Sequence, residues 1–130
     1  LIRCAFENKP FNLFRSSMEH ERSYTYVDDA VRGLELVLGN LDRCIGGIFN
    51  IGSDTSVSTG EGVRMIERLT GRTITMNETA KRVGDQVRTC ANIDKARRIL
   101  GFEPSVGVYE GLGRQVAWFT RYMAPKLHLL

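Results

Sequence analysis

Along this chain the apolar positions switch between a period of two and a period near 3.6, and each switch marks the edge of an element. Residues 1–8 read as the end of a helix, which Lys9-Pro10 breaks because proline lacks the N–H that a helix interior needs. Phe11-Asn12-Leu13-Phe14 alternates as a short strand does. A polar loop, Arg15–Glu21, leads to Ser23–Val27, which is rich in strand-favouring residues. From Asp28 the period lengthens, and Val31, Leu34, Leu38 and Leu41 fall on one helical face. Asp28 or Asp29 is expected to cap this helix, because a short carboxylate accepts unpaired backbone N–H groups and favours the positive end of the helix dipole.

The second half continues in the same way. Ile45-Gly46-Gly47-Ile48-Phe49-Asn50-Ile51-Gly52 predicts a short buried strand ending in a turn. Ser58-Thr59-Gly60-Glu61 has the form of a capping box and opens a helix whose inner face is Val63, Ile66 and Leu69. Gly71 closes it, since glycine takes the left-handed conformation at low cost. Thr73–Met76 predicts another strand, and Asn77–Cys90 a loop carrying Lys81, Arg82, Asp85 and Arg88. Asn92 caps a short helix with Ile93, Ala96 and Leu100 inside and Gly101 at its end. A last amphipathic helix places Val108, Leu112, Val116 and Phe119 on one side, with Trp118 and Tyr122 on a neighbouring face. The tail 124–130 carries no readable signal. The order β, β, α, β, α, β, α, α after the opening helix end predicts an α/β protein.

Composition narrows the function classes. At 130 residues, 42% hydrophobic and 25% charged, the chain has the make-up of a globular domain with a real core. No apolar run approaches the roughly 18 residues of a membrane span, and a cytoplasmic location is expected. The chain begins at Leu1 rather than methionine, which suggests a cut through a longer chain. Cys4, Cys44 and Cys90 stand far apart, and His20 and His128 have no second ligand at a metal-binding interval, so neither a disulfide framework nor a metal site is expected. The net charge of +3 suits an anionic ligand. Arg64, Arg68 and Arg72 line one helix face without interleaved aromatics, which argues against nucleic acid.

The candidate chemistry is binding chemistry. No nucleophile stands beside a histidine base, and no G-x-G-x-x-G turn opens a helix after a strand. Arg22 and Arg82 lie in loops, where a guanidinium offers two-pronged hydrogen bonding to phosphate oxygens. Asp85 is a candidate acceptor for sugar hydroxyls.

The segments around these residues carry a resemblance. Arg22-Ser23-Tyr24-Thr25-Tyr26-Val27-Asp28-Asp29 resembles the R-D/S-F/Y-T/I-Y/H-V-x-D motif of the extended short-chain dehydrogenase/reductase family, the NAD-dependent nucleotide-sugar epimerases and dehydratases. Phe49-Asn50-Ile51-Gly52, Ser56-Val57-Ser58, Gly84-Asp85, Ala91–Ala96, Leu100–Pro104, Glu110-Gly111-Leu112 and Trp118-Phe119 follow in that family's order and spacing. The resemblance covers nearly the whole chain and implies the C-terminal, substrate-binding part of the fold, incomplete without an N-terminal cofactor domain. That domain would hold NAD with its G-x-x-G-x-x-G turn and supply the catalytic Y-x-x-x-K, so no catalytic residue and no cofactor-binding residue is expected here. Tyr122 has Lys126 at the right interval, but Pro125 between them does not suit an active-site helix.

By resemblance Arg22 and Arg82 contact the nucleotide diphosphate and Asp85 the ribose. The strand Asn12-Leu13-Phe14 lies along the base, with Phe14 in a stacking position. The same resemblance places residues 1–27 and 72–130 mainly in the substrate lobe and returns residues 28–52 to the cofactor-domain sheet. The family's G-D-G turn before Arg22 is replaced here by Arg15–Glu21, and Ser23 stands where aspartate is commoner. The stretch Gly84–Asp94 is most similar to the UDP-glucuronate 4-epimerase branch. The implied reaction takes hydride from sugar C4, passes through a 4-keto sugar and returns hydride to the other face. A GDP-mannose epimerase, a dTDP-sugar 4,6-dehydratase, a UDP-xylose synthase and a non-catalytic nucleotide-binding relative are the alternatives. The implied partners are a UDP-sugar, the N-terminal Rossmann domain and a second copy, in a homodimer formed outside these residues.

Overall fold

The computed structural model describes residues 1–129; Leu130, the last residue of the unread tail, lies outside them. The elements in order are α1 (Ile2–Glu7), β1 (Phe11–Phe14), a 3-10 turn (Ser17–Glu19), β2 (Glu21–Arg22), α2 (Val27–Leu38) and α3 (Leu41–Cys44). They continue with β3 (Val57–Ser58), α4 (Thr59–Thr70), β4 (Met76–Thr79), β5 (Arg88–Thr89), α5 (Asp94–Leu100) and α6 (Val108–Trp118). A π turn (Phe119–Met123) and a 3-10 turn (Pro125–Leu127) follow. The mixed α/β content agrees with the sequence.

Two small sheets organise the chain. β1 runs parallel to β4, with Phe11 opposite Met76 and Phe14 opposite Thr79. β2 is central in the other sheet, antiparallel to β3 and parallel to β5. Helix α4 joins the sheets in sequence and is set by its cap: the Ser58 hydroxyl accepts from the Glu61 N–H at 3.1 Å, and the Glu61 carboxylate accepts from the Ser58 N–H at 2.7 Å. These two bonds satisfy donors that a helix start leaves open. Val63 and Ile66 of α4 then pack with Ile2, Ala5, Ile74, Val116, Phe119 and Ala124 in the first core. The second core is Ile93, Ala96, Leu100 and Phe102, against which Leu36, Val37, Phe49 and Ile51 pack.

Several elements differ from the sequence reading. Residues 23–26 are not a strand. The Ser23 N–H still reaches the Thr89 carbonyl at 3.1 Å, but beyond it side chains tie this segment down: the Ser23 hydroxyl donates to the Ser53 carbonyl at 2.6 Å and the Ser53 N–H donates to Thr25 Oγ1 at 3.2 Å. Residues 45–52 form no strand either, and Ile45 and Ile48 are exposed. Pairing at β4 begins at Met76, three residues later than the expected start of that strand, and the 77–90 loop contains β5. The N-cap of α5 is Ile93 rather than Asn92, although the Asn92 side chain accepts from the Asp94 N–H at 3.1 Å.

Helix α2 forms where the apolar period begins, but it is turned the other way. Val31, Leu34, Leu38 and Leu41 are exposed, and the buried side runs through Asp29 and Gly33. Gly33 has to be glycine here, because a Cβ would lie 2.4 Å from Ile51 Cγ2. Neither aspartate caps α2. Its N-cap is Tyr26 without a side-chain bond. Asp29 instead reaches across the fold and accepts from the Ser105 N–H (2.9 Å), the Ser105 hydroxyl (2.9 Å), the Val106 N–H (3.0 Å) and Arg32 (3.1 Å).

Candidate functional site

The candidate site is built on β2, on the outward face of β1 and on the loop between β4 and β5. Strand β2 is only two residues long, yet it is pinned on both sides, with Glu21 opposite Ser58 and Arg88 and Arg22 opposite Val57 and Thr89. The Glu21 carboxylate adds to this by accepting from the Ser56 hydroxyl at 2.7 Å and pairing with Arg88 at 3.0 Å. Arg22 therefore leaves a fixed backbone. Its Nη1 donates to the Glu21 carbonyl at 2.8 Å, and its Nη2 donates to Asp85 Oδ1 at 3.0 Å. Such a bond to a charged partner fixes the plane of the guanidinium as well as its place.

Asp85 lies on the β4–β5 loop, one residue after Gly84, whose φ of +79° is a conformation glycine adopts without strain. Both carboxylate oxygens are engaged, Oδ1 by Arg22 and Oδ2 by the His20 ring nitrogen Nδ1 at 3.2 Å. Three residues earlier on the loop, Arg82 lies over the Phe14 ring, 5.9 Å from its centroid. A cation near an aromatic face is attracted by the negative charge of the ring face. Phe14 and Asn12 are exposed on one side of β1, while Leu13 between them is buried. The Asn12 side-chain oxygen accepts from Asn77 at 2.8 Å on the partner strand.

The structure thus brings Arg22 and Asp85 into contact, brings Arg82 onto Phe14, and links the two pairs through one loop. Asn12 shares the face of Phe14 but is engaged with Asn77. The arrangement offers guanidinium donors, a carboxylate acceptor and a flat apolar ring, which are the groups needed by a ligand with an anion at one place and an aromatic ring at another. His20 is the member that sequence reasoning missed. It was considered only as a metal ligand, and its signal, a histidine two residues before the arginine, acquires meaning only when the fold brings Asp85 beside it.

No family model matches the chain. It is 32% identical over 120 residues to the uncharacterized UDP-glucose epimerase YtcB of Bacillus subtilis strain 168, covering 92% of this chain and 37% of that protein. It is 30% identical over 118 residues to the UDP-glucuronate 4-epimerase of Thermodesulfobacterium geofontis strain OPF15, covering 90% of this chain and 35% of that protein. Among solved structures, MoeE5 in complex with UDP-glucuronic acid and NAD superposes with a TM-score of 0.86 at 34% identity, over 95% of this chain and 40% of MoeE5. The UDP-glucuronic acid 4-epimerase of Bacillus cereus, in complex with UDP-glucuronic acid and NAD, gives a TM-score of 0.86 at 30% identity, over 93% and 38%. The chain spans well under half the length of each of these relatives.

The junctions where a strand leads into a helix show what these residues offer to NAD. Residues 23–26 before α2 are Ser-Tyr-Thr-Tyr, and residues 90–93 before α5 are Cys-Ala-Asn-Ile. The β3–α4 junction has Gly60 and Gly62, but Ser58 and the Glu61 carboxylate already occupy its helix start and would repel a pyrophosphate. These junctions among the described residues do not fit the dinucleotide.

Proposed function

Because the chain belongs to the extended short-chain dehydrogenase/reductase family of NAD-dependent nucleotide-sugar epimerases and dehydratases, as its C-terminal part, we propose that it is the nucleotide-sugar grip of a UDP-sugar 4-epimerase of the UDP-glucuronate or UDP-glucose type. The observation that carries this reading is the loop that holds Asp85 on Arg22 at 3.0 Å while holding Arg82 over Phe14. In this reading Arg22 and Arg82 bind the diphosphate, Asp85 accepts from the ribose, and Asn12 and Phe14 line the base. The chain contributes no proton or hydride step. It keeps the UDP end still while the 4-keto sugar turns over.

The reading extends to the whole protein. An N-terminal Rossmann domain holds NAD and the catalytic Tyr and Lys, and the exposed face of residues 28–52 returns to its sheet. The protein is a homodimer through helices outside these residues. The full-length protein, incubated with NAD and UDP-glucuronic acid or UDP-glucose and followed by proton NMR, is expected to form the C4 epimer. An unchanged sugar spectrum, with UDP still bound, would favour the non-catalytic relative. The upstream reading frame separates these two cases, since the enzyme requires the glycine-rich turn and Y-x-x-x-K.

A further inference from the structure

We propose that His20 is a positioning residue for the nucleotide grip, acting through Asp85 on the loop that also carries Arg82. This rests on the nucleotide-sugar reading above. The residues of that loop from Lys81 to Gly84 are exposed, with Val83 97% so, and of these four Arg82 rests on the Phe14 ring, itself exposed. The backbone is fastened at its two ends, where the Thr79 carbonyl accepts from the Arg15 N–H at 3.0 Å and the Val87 carbonyl accepts from the Glu21 N–H at 2.9 Å. Between these points Asp85 supplies the side-chain ties, one to Arg22 and one to His20.

The two ties differ in kind. Arg22 is partly exposed and, in the reading above, has a diphosphate to bind, so its hold on Asp85 is shared with the ligand. His20 is buried, with its side chain 9% exposed. Its backbone is anchored to the start of α4, where the His20 carbonyl accepts from the Thr59 N–H (2.9 Å) and the Thr59 hydroxyl (3.2 Å). Its own N–H donates to the Ser17 carbonyl at 3.1 Å. A carboxylate can only accept, so the Nδ1 facing Asp85 carries the hydrogen. This bond therefore keeps Asp85 in place whether or not Arg22 turns toward a ligand, and with Asp85 it keeps the stem of Arg82.

Calorimetric titration of UDP into the full-length protein tests this with His20→Leu, His20→Asn, Asp85→Ala and the double variant His20→Leu/Asp85→Ala. Loss of one hydrogen bond to a charged group predicts about ten-fold weaker binding in His20→Leu. His20→Asn, whose amide nitrogen can reach the place of Nδ1, recovers most of it. The double variant binds no more weakly than Asp85→Ala alone. Amide exchange in residues 80–86 is faster in His20→Leu and in Asp85→Ala, with α4 and α5 unchanged. His20→Leu binding UDP as the unaltered protein does, or losing as much affinity in the Asp85→Ala background as without it, would overturn the proposal. If His20→Leu does not fold, unchanged loop exchange in Asp85→Ala overturns it instead. Failure of the nucleotide reading itself shows differently, as no UDP binding by the unaltered protein or full binding by Arg22→Ala and Arg82→Ala.

Discussion

Asp28 and Asp29 are neighbours with opposite fates. The Asp28 side chain is 68% exposed and pairs loosely with Arg114 at 3.4 Å, whereas Asp29 is 2% exposed with its water replaced by protein donors. Burial alone would push the Asp29 carboxyl up. The Ser105 and Val106 N–H groups, the Ser105 hydroxyl and Arg32 outweigh it and hold the group below its ordinary value. A carboxyl whose value is lower in the folded state adds stability that is complete above the unfolded value of about 4. That stability is lost as pH falls through the depressed folded value. Asp29→Ala is therefore expected to cost about 2–4 kcal/mol in urea unfolding at pH 7, and the difference from the unaltered protein should shrink in titrations below pH 4. At this scale residue type and motif position nominate Arg22, Arg82 and Asp85 as the proposed anion grip, and the structure brings Arg22 and Asp85 into contact. The sequence was silent on Asp29 as a cross-fold acceptor and on His20, because their partners are 76 and 65 positions away.

Among the elements, α2 shows what a hydrophobic period can and cannot say. Val31, Leu34, Leu38 and Leu41 announce a helix with one apolar face, and the helix is there through Leu38, with Leu41 opening the separate α3. The period does not say which body covers that face, and among the described residues nothing does: Leu38 is 67% exposed. The side that packs inward is narrower and is governed by Gly33 against Ile51. Gly33→Ala would normally favour a helix by up to about 1 kcal/mol, yet overpacking against Ile51 costs about 1–3 kcal/mol. Gly33→Ala is expected to destabilise in urea titration, and Gly33→Ala/Ile51→Ala to lose less than the sum of the single changes. The capping box of α4 was legible because it is wholly local, four residues with one geometry. Residues 23–26 and 45–52 do not form strands because strand-favouring composition needs a partner strand, and beyond the Ser23 N–H bond to the Thr89 carbonyl neither segment has one among the described residues.

For the whole molecule, the unpartnered surface is the main fact. Val27, Val31, Leu34, Leu38 and Leu41 continue into Ile45 and Ile48, the last 84% exposed, as a run of apolar side chains along 27–48. Surfaces of this kind are uncommon on proteins that stand alone and mark an interface. Residues 1–130 expressed by themselves should accordingly show weak stability in urea followed by circular dichroism; a cooperative transition of several kcal/mol would contradict the proposed return of residues 28–52 to a cofactor-domain sheet. In the proposed reading, the grip is the functional share of this chain. The most direct test is calorimetric titration of UDP into the full-length protein and its Arg22→Ala and Arg82→Ala variants. Charged hydrogen bonds of about 1.5–3 kcal/mol each predict that either variant weakens binding roughly 10- to 100-fold. Equal affinity in all three proteins would contradict the account.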